Sequence, residues 1–233
     1  MEDQISLEQL ENFRKVYNSE KTNKIIENAI TNNGLENACI NRDIIIENQP
    51  IFNVELPESK RYDQKDSWKC WIFGGLNLIK YNIAKNLDMN VMDLELSSNH
   101  ISFYDKLEKS NNVYENVINL ENTEFDYLCK NEVLKFCVSE GGYWDMFGSI
   151  VNKYGIIPYS YNFDAVESTA VQRVEYLYTE KIKKDVLKLI ELKKSKVDIN
   201  SLRKEKDKFL QENYTLLCKI YGEPLTKFDF EYK

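Results

Sequence analysis

The chain has 233 residues, 42% hydrophobic and 30% charged, with a net charge of −7, enough for a sizeable core. The acidic balance argues against nucleic acid or an anionic membrane surface as the main partner. No apolar run approaches the roughly 20 residues that span a bilayer, and the acidic start Met1-Glu2-Asp3-Gln4 lacks the basic and apolar regions of a secretory signal.

Residues 6–17 predict a helix, since Ser6 can cap it and Leu7, Leu10 and Phe13 recur at helical spacing. A second helix is expected over 22–30, ended by the turn residues Asn32-Asn33-Gly34. Residues 43–56 read as extended, with Ile44-Ile45-Ile46 and an alternating stretch from Phe52 to Leu56, closed by Pro57. A core helix is expected over 70–85, with Ile72, Leu76, Ile79 and Ile83 on one stripe. Ser97 or Ser98 can cap the next helix, which runs through Phe103, Tyr104 and Leu107.

Helical patterns recur at 124–138 and 144–154, the latter stopped by Gly155 with Pro158 beyond. Residues 168–194 and 197–221 read as two long charged helices forming a hairpin. The first carries an apolar stripe at Val171, Val174, Tyr178, Ile182, Val186 and Leu189. The second carries Leu202, Phe209, Leu216 and Ile220, then Gly222 as a stop. Their dense Lys and Glu read as a solvated face with i,i+4 pairs. Residues 228–232 alternate like a strand.

The five cysteines (Cys39, Cys70, Cys129, Cys137, Cys218) are odd in number and contain no C-x-x-C. They read as reduced thiols of a cytoplasmic protein with no disulfide framework, no metal site and no cofactor.

Cys70 is the residue with the clearest chemistry. It starts a predicted helix, where unpaired N–H groups and the helix dipole favour a thiolate, and Lys69 adds a nearby positive charge. Gln64 lies six residues earlier, placed to offer its amide beside the Cys70 N–H as an oxyanion hole, a donor worth about 3 kcal/mol in hydrolases. The competing reading is an inert buried Cys beginning a core helix. Gly141-Gly142, just before the 144–154 helix, would let a ligand backbone approach closely, although a plain turn would look the same. A thiol hydrolase also needs a His base and an orienting Asn or Asp from later in the chain. The sole His is His100, at the start of a predicted helix, and it reads as a surface or half-buried helix residue rather than the base.

With these residues in view, the chain resembles the bleomycin hydrolase / aminopeptidase C group of papain-like cysteine peptidases. The likeness runs through Asn33-Gly34, the segment from Gln64 to Phe73, Leu94-Glu95-Leu96-Ser97, the run from Phe103 to Lys109, Gly141-Gly142 with Trp144-Asp145-Met146, the run from Lys153 to Pro158, and the run from Phe228 to Tyr232. The resemblance implies an α+β, papain-like fold represented by its helical left lobe, with the β-rich C-terminal lobe missing. It implies an N-terminal helical and extended arm (1–50), a left lobe with the nucleophile (51–167), a helical hairpin insertion (168–221) and the start of a truncated C-terminal lobe (222–233).

It further implies Cys70 as nucleophile, Gln64 as oxyanion residue, and Gly141 and Gly142 as cleft lining. The catalytic His and Asn belong to the half that is absent. Peptides are the implied substrates and a family hexamer, or a complementing C-terminal half, the implied partner. The chain departs from the family pattern in having Trp68 and Lys69 where Gly and Arg are expected. It also has Gly74-Gly75 where small alanines are usual, which weakens a helix by about 1 kcal/mol per Gly. The expected function is a cytosolic cysteine aminopeptidase whose polypeptide lacks turnover by itself; the alternative is a non-catalytic homologue that binds peptides or joins oligomers.

Overall fold

The computed structural model describes residues 4–120, 137–169 and 171–232. The expected helix over 124–138 falls mostly outside them, as does Cys129. The chain divides into two compact units, residues 1–56 and 57–233.

The first unit holds four helices: α1 (Leu7–Ser19), α2 (Lys21–Asn33), α3 (Leu35–Cys39) and α4 (Arg42–Glu47). Ser6 and Gln9 close a reciprocal capping box at the start of α1. Gly34 ends α2 at φ +79, a conformation costly for other residues. The extended segment expected over 43–56 is corrected in its first part. Asn41 accepts from the N–H groups of Asp43 and Ile44 and starts a helical turn there. The β preference of three isoleucines is weak without a partner strand to pack them. No residue of α1 to α4 is buried.

The second unit holds α5 (Cys70–Asn86), α6 (Ser98–Asn119), α7 (Trp144–Tyr154), α8 (Val171–Lys194) and α9 (Ile199–Tyr221). Helix α6 is the spine. Its start is capped by the Ser97 hydroxyl, which accepts from the His100 N–H and donates to the Asn162 carbonyl oxygen at 2.7 Å. Along its length it buries residues on both sides. Ile101 joins a core with Ile72 and Leu76 of α5 and Phe147 and Ile150 of α7. Phe103, Tyr114, Val117 and Ile118 join a second core with α8 and α9.

All six residues of the expected α8 stripe are buried. In α9 the buried line differs from the expected one. Leu202 and Phe209 are buried as expected, but Asn213, Leu217 and Tyr221 follow instead of Leu216 and Ile220. The stripe turns because Asn213 enters the core, where its amide donates to the Tyr114 hydroxyl at 2.8 Å. The Tyr114 hydroxyl in turn donates to Asp185. A polar residue is thus buried by being hydrogen-bonded, and hydropathy alone does not anticipate it.

No strand forms among the described residues. Ser97 N–H donates to Ile157 O and Tyr159 N–H to Glu95 O, making an isolated antiparallel bridge between Leu96 and Pro158. The strand expected over 228–232 is corrected too. That segment has no ladder partner among the described residues and lies against Tyr161, whose ring is 5.0 Å from that of Phe228.

The adjacent glycines of α5 have different roles. A Cβ on Gly75 would sit 2.5 Å from the Phe147 ring, whereas one on Gly74 meets nothing within 4 Å. Gly75 is therefore what lets α7 approach α5. Gly74→Ala should raise stability by about 0.5–1 kcal/mol, since only the helix penalty is removed. Gly75→Ala should lower it by about 1–3 kcal/mol through overpacking. Urea unfolding midpoints of the two variants should move in opposite directions.

Candidate active site

The segment before α5 is pinned along the helix it precedes. Lys80 donates to the Lys60 carbonyl and sits 4.6 Å over the Tyr62 ring, Tyr81 donates to the Pro57 carbonyl, and Tyr62 stacks on Phe73. The chain then turns sharply. Ser67 N–H donates to the Gln64 carbonyl at 3.1 Å, and Lys65 and Trp68 both take left-handed backbone angles, φ +50 and +52. Such a conformation costs a non-glycine residue about 1–2 kcal/mol. Trp68 thus adopts, at a cost, the geometry suited to the Gly that the resemblance leads one to expect there. Its ring is half-exposed beside the nucleophile position.

The turn delivers Cys70 as the first residue of α5, and its side chain is exposed. The competing expectation of a buried Cys is corrected: the residue is at the surface. Gln64 is exposed on the same turn. Lys69 does the opposite of what its charge suggests. Its side chain is 1% exposed, runs inward, and places Nζ 5.7 Å from the centre of the Tyr221 ring. Nζ has no hydrogen-bond partner among the described residues. Burial pushes this amine down from 10.5 to about 8, partly opposed by the charge of Glu140. Lys69 is a cation of the interior, and its ammonium is not offered to the thiol's solvent-facing side.

Gly141 and Gly142 are brought to the same end of α5 by Trp71. Its indole N–H donates to the Glu140 carbonyl oxygen at 2.6 Å, and Gly142 lies so close to its ring that a Cβ there would sit 2.6 Å away. Gly142 is a close approach to Trp71, whereas a Cβ on Gly141 would meet nothing within 4 Å.

His100 is not at this site. It is 1% exposed, its Nε2 lies 3.4 Å from the Tyr154 carbonyl, and its ring packs edge-on against Tyr104 at 5.0 Å. Burial lowers its pKa, so the neutral ring is favoured. The expected surface or half-buried position is corrected: the ring fills the core beneath α7.

Sequence inspection missed the residues that tie the loop before α7 to α6. Glu140 and Lys106 are completely buried and paired at 2.7 Å. Lys109 reaches Asp105, Ser139 O and Gly141 O. Burial pushes Asp105 up to about 6, with Lys109 restraining the rise. The available signal was Asp105 and Lys109 four apart on a helix otherwise turned inward. A groove of about 520 Å³ between α6 and α7, lined partly by Asp105, Lys109, Asp145 and Met146, contains neither Cys70 nor the Gly pair. Among the described residues no cluster of His, Cys, Asp or Glu could hold a metal, and no helix is long and apolar enough to cross a membrane.

Cys70 is thus exposed at a helix start, and the loop of Gly141 and Gly142 packs on the next residue, Trp71. The chain belongs to the Peptidase C1-like family, whose model matches residues 4–233. It is 33% identical to Aminopeptidase C of Listeria monocytogenes over its whole length, which is 52% of that protein. It is 30% identical to Aminopeptidase G of Lactobacillus delbrueckii subsp. lactis, again over its whole length and 53% of that protein. Among solved structures, PepW of Lactobacillus rhamnosis HN001 superposes with a TM-score of 0.86 at 32% identity, covering all of this chain and 52% of that one. The chain thus spans about half the length of the relatives it matches, and its helices are the helical left lobe of the papain-like fold.

Because the Lys69 ammonium binds its proton more weakly in the fold than in the unfolded chain, stability should rise with pH between about 8 and 10.5 and carry the full cost below 8. Lys69→Met should therefore stabilise the protein at pH 7, by on the order of 3 kcal/mol. The gain should shrink toward zero above pH 10.5. Thermal melts of both proteins across pH 7–11 measure it; an equal gain at every pH would assign the effect to packing instead.

Proposed function

We propose that this chain supplies the nucleophile half of a cysteine aminopeptidase that removes N-terminal residues from peptides. The observation that carries the proposal is the exposed Cys70 thiol at the start of α5, with the loop of Gly141 and Gly142 held against the next residue, Trp71. The names of the relatives, aminopeptidases C and G, support the same reading.

In this mechanism the Cys70 sulfur attacks the carbonyl carbon of the first peptide bond. The developing oxyanion is met by the Cys70 N–H and the Gln64 amide, a contribution of about 3 kcal/mol for one such donor. A protonated base gives its proton to the leaving amine, and water then releases the aminoacyl group from sulfur. Gly142 offers backbone hydrogen bonds to the peptide. The base is an imidazole from outside these 233 residues, because the single His in them is locked in the core. Cytoplasmic thiols and no cofactor fit this chemistry.

The 233-residue chain alone should show no measurable hydrolysis of an aminoacyl fluorogenic amide. Mixed or co-expressed with the remaining half of the Listeria monocytogenes Aminopeptidase C, it should hydrolyse that amide, and Cys70→Ala in this chain should abolish the reaction. Turnover surviving Cys70→Ala would remove the nucleophile assignment. Turnover by the chain alone would remove the need for an outside base.

The first unit supports a further part of the proposal, assembly with other copies. Its helices bury nothing and expose Leu7, Phe13, Ile25 and Ile26, side chains suited to being covered by another surface. Sedimentation should show an oligomer that a chain lacking residues 1–56 fails to form; a monomer at micromolar concentration would end this part.

A further inference from the structure

Two lysines of α6 handle the backbone leading to the Gly pair. Lys106, fully buried, donates to the Val138 carbonyl at 3.2 Å and pairs with the Glu140 carboxylate at 2.7 Å. One turn later Lys109, 13% exposed, donates to the Ser139 carbonyl at 2.6 Å and the Gly141 carbonyl at 2.8 Å. The remaining carbonyl, that of Glu140, accepts from Trp71 of α5. All four carbonyls from 138 to 141 are therefore committed to donors of α5 and α6. Neither the N–H nor the carbonyl of Gly142 is hydrogen-bonded among the described residues.

The consequence is directional. A short loop without secondary structure has no ladder to set its register, so its depth follows from whatever binds its carbonyls. Lys109 spends its three protons on Ser139, Gly141 and Asp105, and its ammonium lies 5.6 Å from the Trp71 ring centre. It thus touches the Gly strand, the spine helix and the residue following the nucleophile at once. Asp105, 2% exposed, leaves the ammonium little freedom to swing away.

We propose that Lys109, held by Asp105, is a positioning residue that fixes the Gly141–Gly142 backbone at the depth where an extended peptide can pair with Gly142 while its carbonyl meets Cys70. This rests on the reading of Gly142 as cleft lining. Lys109 touches neither substrate nor thiol. It acts by holding the strand that does, and small displacements of such groups weigh heavily on reaction at a fixed nucleophile.

The test compares two electrophiles on the 233-residue chain, with labelling of the Cys70 peptide read by mass spectrometry. Iodoacetamide reports the thiol alone, and an aminoacyl chloromethyl ketone (the peptidyl reagent), which like the proposed substrate carries one residue before the attacked carbonyl, reports the thiol plus the Gly141–Gly142 backbone. The wild-type chain should prefer the peptidyl reagent. Lys109→Met should lower the ratio of the two rates roughly tenfold, the loss expected when two backbone hydrogen bonds stop holding the strand. Lys109→Arg should recover part of it, and Lys153→Met, on a surface pair with Glu108, should leave it unchanged. A folded Lys109→Met chain with the wild-type ratio overturns the proposal. Should that variant fail to melt cooperatively, Asp105→Asn decides in its place: it keeps the lysine but loosens it, and an unchanged ratio there is equally fatal. If the wild-type chain itself shows no peptidyl preference, the cleft reading of Gly142 falls first and the positioning role with it.

Discussion

The Lys106–Glu140 pair is the contact on which the second unit's geometry depends. Both side chains are entirely removed from solvent. Taking two charges out of water costs several kcal/mol each, and close pairing with further hydrogen bonds is what offsets it. Here Lys106 also reaches Val138 O, and the Glu140 carboxylate also receives the Tyr221 hydroxyl at 3.4 Å. The pair joins the spine helix α6, the last residue of α9 and the loop that carries the Gly strand. Removing either partner would strand a buried charge at the junction of all three.

Around that junction the chemistry is layered by depth. The thiol lies outside, at the start of α5. Trp71 and Lys109 hold the loop of Gly141 and Gly142. Lys69, Tyr221 and the Lys106–Glu140 pair form a buried, charged interior. Burial raises the Tyr221 hydroxyl pKa well above its ordinary value, which keeps it a neutral donor to Glu140. The interior cations therefore act on geometry, while Cys70 and Gln64 lie at the surface.

The departures from the family pattern acquire physical content in this arrangement. Trp68 keeps the left-handed turn that a glycine would make freely, so the turn itself is preserved against the residue's preference. Lys69 shows that a lysine next to an exposed Cys in sequence can turn its charge into the interior. Gly75 is required by Phe147, whereas Gly74 is a tolerated weakness of the helix. Each of these distinctions depends on which way a side chain points from a position whose backbone role is common to all residues.

Much of the unit was legible from residue types. The ends of α5, α7 and α9, the capping serine of α6 and the whole buried stripe of α8 follow from local rules, because caps, glycine stops and apolar periodicity act over one or two turns. The position of Cys70 at a helix start was legible for the same reason, since a short turn immediately precedes it. What only the tertiary structure decided were relations across the chain. Asn213 is buried in the core because Tyr114, 99 residues away, offers it a partner, while Leu216 packs at the core's margin. The isoleucines of α4 and the alternating end at 228–232 found no strand to pair with among the described residues. His100, Lys69 and Lys109 are ordinary polar residues by sequence. Their roles were set by burial and by carbonyls contributed from distant segments, and no local pattern records which carbonyl a lysine will meet.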